Sequence, residues 1–221
     1  MTLRNTLWLS ATALALGLLP AAAATINATS YDMFNGDGKA HGGSFNYWDG
    51  SYNGAGSTTT DHSALSGGTG DLTDGVIATD NWYNTENSAG TGPYVGWLDY
   101  SPVAINFLFA GMSRFSSITM YFDDANGIGG VSQPGQIDVN GTSYLVADHA
   151  GSAPFAVTLD LAGLAADHLN VGIFSTNRWV FLSEVTFDGK ASTVPLPAAG
   201  SLLLAGLGGL AALRRRNKIT G

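Results

Sequence analysis

Val103-Ala104-Ile105-Asn106-Phe107-Leu108-Phe109, followed by Phe115-Ser116-Ser117-Ile118-Thr119-Met120-Tyr121-Phe122, is the stretch that decides the fold. Large apolar residues fall at every second position: Val103, Ile105, Phe107 and Phe109, then Ile118, Met120 and Phe122. Side chains of an extended strand alternate between faces, so this spacing buries one face. The pattern continues outward. Gln136–Val139 and Thr142–Val146 flank Asn140-Gly141, the pair most favoured in a two-residue type I′ hairpin turn. Phe155–Leu159, Leu169–Phe174 and Trp179–Phe187 read as further strands, and Leu161–Asp167 as a single helical turn. Upstream, Asn35–Gly70 is heavy in Gly, Ser and Thr and predicts long loops with one or two edge strands. No long segment of this region shows apolar spacing of three and four. About eight short strands predict an all-β fold, a two-sheet β-sandwich or jelly roll.

The two ends of the 221-residue chain read as addresses. Met1–Ala24 has Arg4, an apolar core from Leu7 to Leu19, Pro20 and then Ala22-Ala23-Ala24, the form of a cleavable signal peptide. At the other end, Val194-Pro195-Leu196-Pro197-Ala198 opens an uncharged run to Leu213, which Arg214, Arg215, Arg216 and Lys218 close. As a helix, Ala198–Leu213 would extend about 24 Å, close to a single transmembrane span once the preceding residues are added. The arginines then place the C-terminus in the cytoplasm and the body of the protein outside. Residues 194–218 resemble the PEP-CTERM class of bacterial sorting tails, in the variant that begins Val-Pro-Leu-Pro-Ala. The resemblance implies an exosortase that recognises the Pro motif and cuts near it, and at least transient membrane association. The alternative is a plain single-span anchor.

Between these ends, residues 25–193 carry four basic residues (Lys39, Arg114, Arg178, Lys190) against all 17 acidic ones, a formal charge of −13. Phosphate backbones need a basic patch, so nucleic acid is excluded as a partner. The charge suits an extracellular protein that binds neutral ligands or divalent cations. There is no cysteine, which removes disulfides, thiol catalysis and thiolate metal sites. Residues 25–70 form a Gly/Ser/Thr-rich first part, and 71–190 carry the sandwich.

Leu72-Thr73-Asp74-Gly75, Asn81-Trp82, Gly96-Trp97-Leu98-Asp99, the strand pair at 103–122 and the closing Arg178–Phe187 follow one another in order. That order resembles the galactose-binding-like jelly roll of discoidin domains and carbohydrate-binding modules. The resemblance implies a structural Ca²⁺ between the Asp-Gly turn and the last strand. The matching positions are Asp74, Thr79 or Asp80, and Glu184, with carbonyls of Leu72 and Ser183. Glu184 shares strand parity with Val180 and Leu182, which points to a partly buried side. Asp123-Asp124-Ala125-Asn126-Gly127 is read instead as a solvated loop, because it lacks the Glu an EF-hand requires.

Such folds hold sugars on rim loops, where an aromatic ring stacks on the sugar. Trp82 and Tyr83, in a polar setting, and Arg178 are the ligand-binding candidates. Tyr94, Trp97 and Trp179 suit the core better, and Tyr47–Tyr52 is a further aromatic loop. His41, His62, His149 and His168 lack zinc spacing, and no Gly-x-Ser-x-Gly elbow or phosphate loop occurs. The expected protein is an exported, non-enzymatic surface or matrix protein that binds extracellular polysaccharide. The alternatives are a polysaccharide hydrolase or lyase, and a purely structural coat. Two carboxylates lining a concave face would favour the enzyme.

Overall fold

The computed structural model of the protein describes residues 24–191. The strands, numbered in chain order, are β1 (Ala24–Thr25), β2 (Ser30–Phe34), β3 (Ala64–Gly68), β4 (Val95–Leu98), β5 (Val103–Phe122), β6 (Pro134–Val139), β7 (Thr142–Leu145), β8 (Phe155–Ser175) and β9 (Trp179–Ala191). Two single-turn helices, α1 (Ala40–Gly43) and α2 (Trp82–Thr85), lie in the loops. The sorting motif, the apolar run, the closing arginines and all of the signal peptide but Ala24 fall outside the described residues. Among the described residues, no helix is long and apolar enough to cross a membrane.

The two runs that open the sequence argument are one 20-residue strand. β5 changes neighbours along its length. Its first part, at Ile105–Leu108, lies between β2 and β8, and its second, from Ser113, lies between β9 and β8. The pairing slips between Leu108 and Ser113 and again between Phe115 and Ser117. Such irregularities bend a strand and let it change partners along its length. β6 and β7 extend β8 as a hairpin through Asn140 and Gly141, whose φ values of 47° and 82° are those a type I′ turn needs. β2 pairs with β5, so residues before 70 belong to the same sheet as those after 71.

The expected helical turn at Leu161–Asp167 is instead part of β8. Ala162 and Gly163 take φ of 51° and 76°, and the Asp160 carboxylate accepts the Ala162 N–H at 2.7 Å. A short kink absorbs the extra residues opposite Ser116, and the strand resumes at Leu164.

Burial follows the alternation. Phe107, Phe115, Ile118, Met120 and Phe122 of β5 meet Leu169 and Ile173 of β8 and Leu182 and Phe187 of β9 in the main core. At its centre Phe107 and Phe109 each pack edge-on to Phe187 at 5.0 Å. β9 also feeds a second, aromatic core through its other face: Trp179 and Phe181 join Tyr47, Trp82 and Tyr94. The start of β9 is therefore buried on both sides, which its near-continuous apolar run Trp179–Leu182 allows.

Candidate functional site

The corner where the Asp74-Gly75 turn meets β9 is built by three backbone contacts. Leu72 sits fully buried in the main core, and its carbonyl accepts the Val185 N–H at 2.9 Å. Asp74 accepts the Val76 N–H at 2.8 Å, closing a turn in which Gly75 has φ 85°. The Gly75 N–H then donates to Glu184 Oε2 at 2.8 Å. Glu184 is buried, as expected, but not through the parity it shares with Val180 and Leu182. β9 slips against β5 between Glu184 and Leu182, so core positions change from Val180 and Leu182 to Val185 and Phe187. The slip at Ser183 turns Glu184 away from the core, and the Leu72–Gly75 loop covers it. Burial pushes its carboxyl up to about 7, the Gly75 N–H opposes this, and nearby Asp74 adds to it.

This corner opens on a space of about 470 Å³ lined by Thr73, Asp74, Gly75 and Glu184. The Thr73 hydroxyl is buried without a hydrogen-bond partner. Two carboxylates and an orphaned hydroxyl are oxygen donors of the kind Ca²⁺ takes, so the residues present fit such an ion in part. Thr79 and Asp80 do not complete the set. Asp80 accepts the Asn81 N–H at 2.8 Å, and its carbonyl takes the Tyr94 hydroxyl at 3.0 Å. Among the described residues, no three His, Cys, Asp or Glu side chains converge as metal ligands. The Leu72 carbonyl is already engaged by Val185.

A larger cavity, about 570 Å³, lies on the other side of Asp74. Trp48, Ser51, Asp71, Asp74, Val76 and Ile77 contribute to its wall, with the loop from Ala89 to Pro93 opposite. Trp48 is fixed there by its indole N–H, which donates to Asp61 at 2.7 Å. Gly38 lies under the ring, where an added Cβ would come 1.9 Å from it. Asp71 takes the Ser51 hydroxyl on one oxygen and the Gly50 N–H at 3.2 Å on the other. Behind it Asp49, fully buried, accepts the Tyr31 hydroxyl and the Asp71 N–H. Burial, followed by the charge of Asp71, pushes Asp49 up to about 7. Glu86 stands behind Gly92 of the cavity wall; burial pushes its carboxyl up to about 8, and Oε2 has no hydrogen-bond partner.

The sequence-based ligand candidates are not gathered in this cavity. Trp82 is 5% exposed and belongs to the aromatic core, edge-on to Phe45 at 5.2 Å. Its polar neighbours Asn81 and Asn84 suggested a loop surface, but Asn81 is buried too, and its amide donates to Asp123 at 2.6 Å. Tyr83 is 40% exposed on α2. Arg178 is exposed and forks onto Asp99, with Nη2 2.7 Å from Oδ2. The solvated-loop reading of Asp123-Asp124 is also overturned. Both are buried, and Asp123 anchors α2 by accepting the Trp82 N–H at 2.8 Å. Burial pushes Asp123 up to about 6, against the pull of that N–H and of Asn81. Of the aromatic segments, Tyr47–Tyr52 is the one that reaches the cavity.

Residues 28–128 match the family model of the discoidin domain-containing receptor 1/2 DS-like domain. Among solved structures, a Streptococcus pneumoniae fucose-binding module is 17% identical, covers 54% of this chain and 81% of its own, and gives a TM-score of 0.39. A fucolectin from striped bass (Morone saxatilis) serum is 14% identical over 76% of this chain and 79% of its own, with a TM-score of 0.38. The family 32 carbohydrate-binding module of C. perfringens NanJ, solved with galactose, is 13% identical over 44% of this chain and 79% of its own, at a TM-score of 0.30. No curated protein matches the chain. These identities and overlaps are too low for a neighbour's ligand to be transferred to this chain.

Proposed function

We propose that this is an exported, non-enzymatic carbohydrate-binding protein whose galactose-binding-like β-sandwich holds glycan in the cavity walled by Trp48 and Asp71. The cavity carries the reading. An indole gives a flat apolar face, Val76 and Ile77 add apolar wall, and carboxylates and Thr hydroxyls offer acceptors for sugar hydroxyls. Export, passage through the membrane and processing by an exosortase rest on residues 1–24 and 194–218, and extracellular polysaccharide is the partner such a location supplies. On a glycan array, the wild-type domain binds neutral oligosaccharide, and Trp48→Ala lowers affinity at least 10-fold with the fold unchanged by circular dichroism. Undiminished binding by Trp48→Ala would remove the cavity from the proposal.

Ca²⁺ belongs to the proposal at Asp74, Glu184 and Thr73. Bound there, the ion would supply positive charge between two carboxylates and tie the Asp-Gly turn to β9. The residues themselves already hold the corner through Gly75 and Leu72. Thermal unfolding should move up by several degrees on adding Ca²⁺ and return with chelator, and Glu184→Gln should abolish the shift. An equal shift in the variant would place the ion elsewhere.

One observation favours the hydrolase reading: two carboxylates, Asp71 and Asp74, line a concave surface. They lie three positions apart on one loop, and both Asp71 oxygens are engaged by Gly50 and Ser51. A glycosidase pair must face each other across the bond to be cut. Release of reducing ends from a bound polysaccharide, lost in Asp74→Asn, would establish the enzyme instead.

A further inference from the structure

Asp71 is the hub of an uncompensated set of acids. Asp49 and Glu86 lie close enough behind it, and Asp74 beside it, for each charge to be felt. Among the described residues, no Lys, Arg or His contributes to the cavity wall. Among the described residues, the Arg178–Asp99 ion pair and the His contacts of Asp37, Asp124 and Asp167 lie elsewhere. A cavity of this kind repels anions, and the effect strengthens as a ligand excludes water from between the charges.

Resting on the carbohydrate reading, we propose that the cavity selects amino sugars with a free, protonated amine, and rejects uronic, sulfated and sialylated ones. The dimensions agree. A cavity of about 570 Å³ falls within the range of small-ligand sites and has room for a short oligosaccharide. Trp48 supplies a face for the pyranose ring, and an ammonium near its rim gains cation–π attraction as well. Asp71, 8% exposed, gives the ammonium a partly desolvated counter-charge, held in place by Gly50 and Ser51. Asp49 and Glu86 sit behind that carboxylate without touching the ligand, and because burial raises both carboxyls, Asp71 with Asp74 beside it carries the recognition. N-acetylation removes the charge while leaving the ring and hydroxyls, so it isolates the electrostatic part of recognition.

The experiment is calorimetric titration of the wild-type domain with three oligosaccharides: free glucosamine oligomers, their fully N-acetylated counterparts, and oligouronates. Each is measured with Ca²⁺ and with chelator. The free amine should bind at least 10-fold tighter than the N-acetylated form in both conditions, weaken with added salt, and leave oligouronate unbound. Asp74→Asn, at an exposed position, should reduce that preference without unfolding the domain. Equal affinity for amine and N-acetyl forms overturns amine selection and leaves the carbohydrate reading intact. A preference seen only in chelator shows that the metal claims these charges, and also overturns it. No binding of any oligosaccharide, here or across the array, removes the carbohydrate reading itself.

Discussion

The melting temperature of the domain in chelator should rise by about 6–12 °C as pH falls from 8 to 5.5, opposite to the usual loss of stability in acid. Four buried carboxyls set the sign. Desolvation raises Asp49 and Glu184 to about 7, Glu86 to about 8 and Asp123 to about 6. In the unfolded chain these groups ionise near pH 4. Between about pH 4 and 8 the folded state therefore binds more protons than the unfolded state. Stability is greatest at the acid end of this window and is lost as pH rises through the folded values. Each unit of displacement is worth about 1.4 kcal/mol, but the four share one another's repulsion, so a total on the order of 3 kcal/mol is expected. For a domain of this size that is about 6–12 °C. Glu86→Gln should raise stability at pH 8 and flatten the profile, because Gln keeps the acceptor for the Tyr94 N–H and cannot ionise. Saturating Ca²⁺ should remove the Glu184 part alone. A melting temperature that falls from pH 8 to 5.5 would show that these acids are compensated or solvated.

Much of the sheet was legible because strand periodicity is local. The alternation at Val103–Phe109 and Ile118–Phe122 and the Asn140-Gly141 turn each state their structure within a few residues. What failed depended on long-range pairing. Nothing near Ser183 announces the slip that reverses the facing of Glu184, since it arises from how Tyr121 and Phe122 meet β9. The kink at Ala162-Gly163 likewise depends on Ser116 having no partner across the ladder. Trp82 looked exposed because its neighbours are polar, yet Asn81 and Asp123 satisfy each other and sink together with it. The cavity draws its wall from loops at residues 48–51, 58–59, 71–79 and 85–93, which only the fold brings together. The one local hint was the density of aromatic and acidic residues in Tyr47-Trp48-Asp49.

Phe181→Ala should separate the function of the aromatic core from that of the main core. Phe181 is 1% exposed, and its ring meets Tyr47 at 4.6 Å, Trp179 at 5.4 Å and Tyr94 at 5.9 Å. Gly96 lies against the other side, where even a Cβ would come 1.7 Å from the ring. Removing a buried phenyl costs about 3–5 kcal/mol, the transfer term plus the cavity it leaves. The melting temperature should then fall by about 6–20 °C. Phe187→Ala, in the centre of the main core, should cost a similar amount. The two variants part company in where the damage appears. Tyr47, Trp82 and Tyr94 are held through Phe181, and the segments carrying them continue into Trp48 and into the Thr85–Pro93 side of the cavity. Well below its melting temperature, Phe181→Ala should lose glycan binding and amide-exchange protection at 45–50 and 82–94. Phe187→Ala should keep both under the same conditions, since its ring packs on Phe107 and Phe109 at the far end of β9. Equal loss of binding in both variants would mean that the cavity depends on global stability. Retained binding in Phe181→Ala would mean that the aromatic core does not support the cavity.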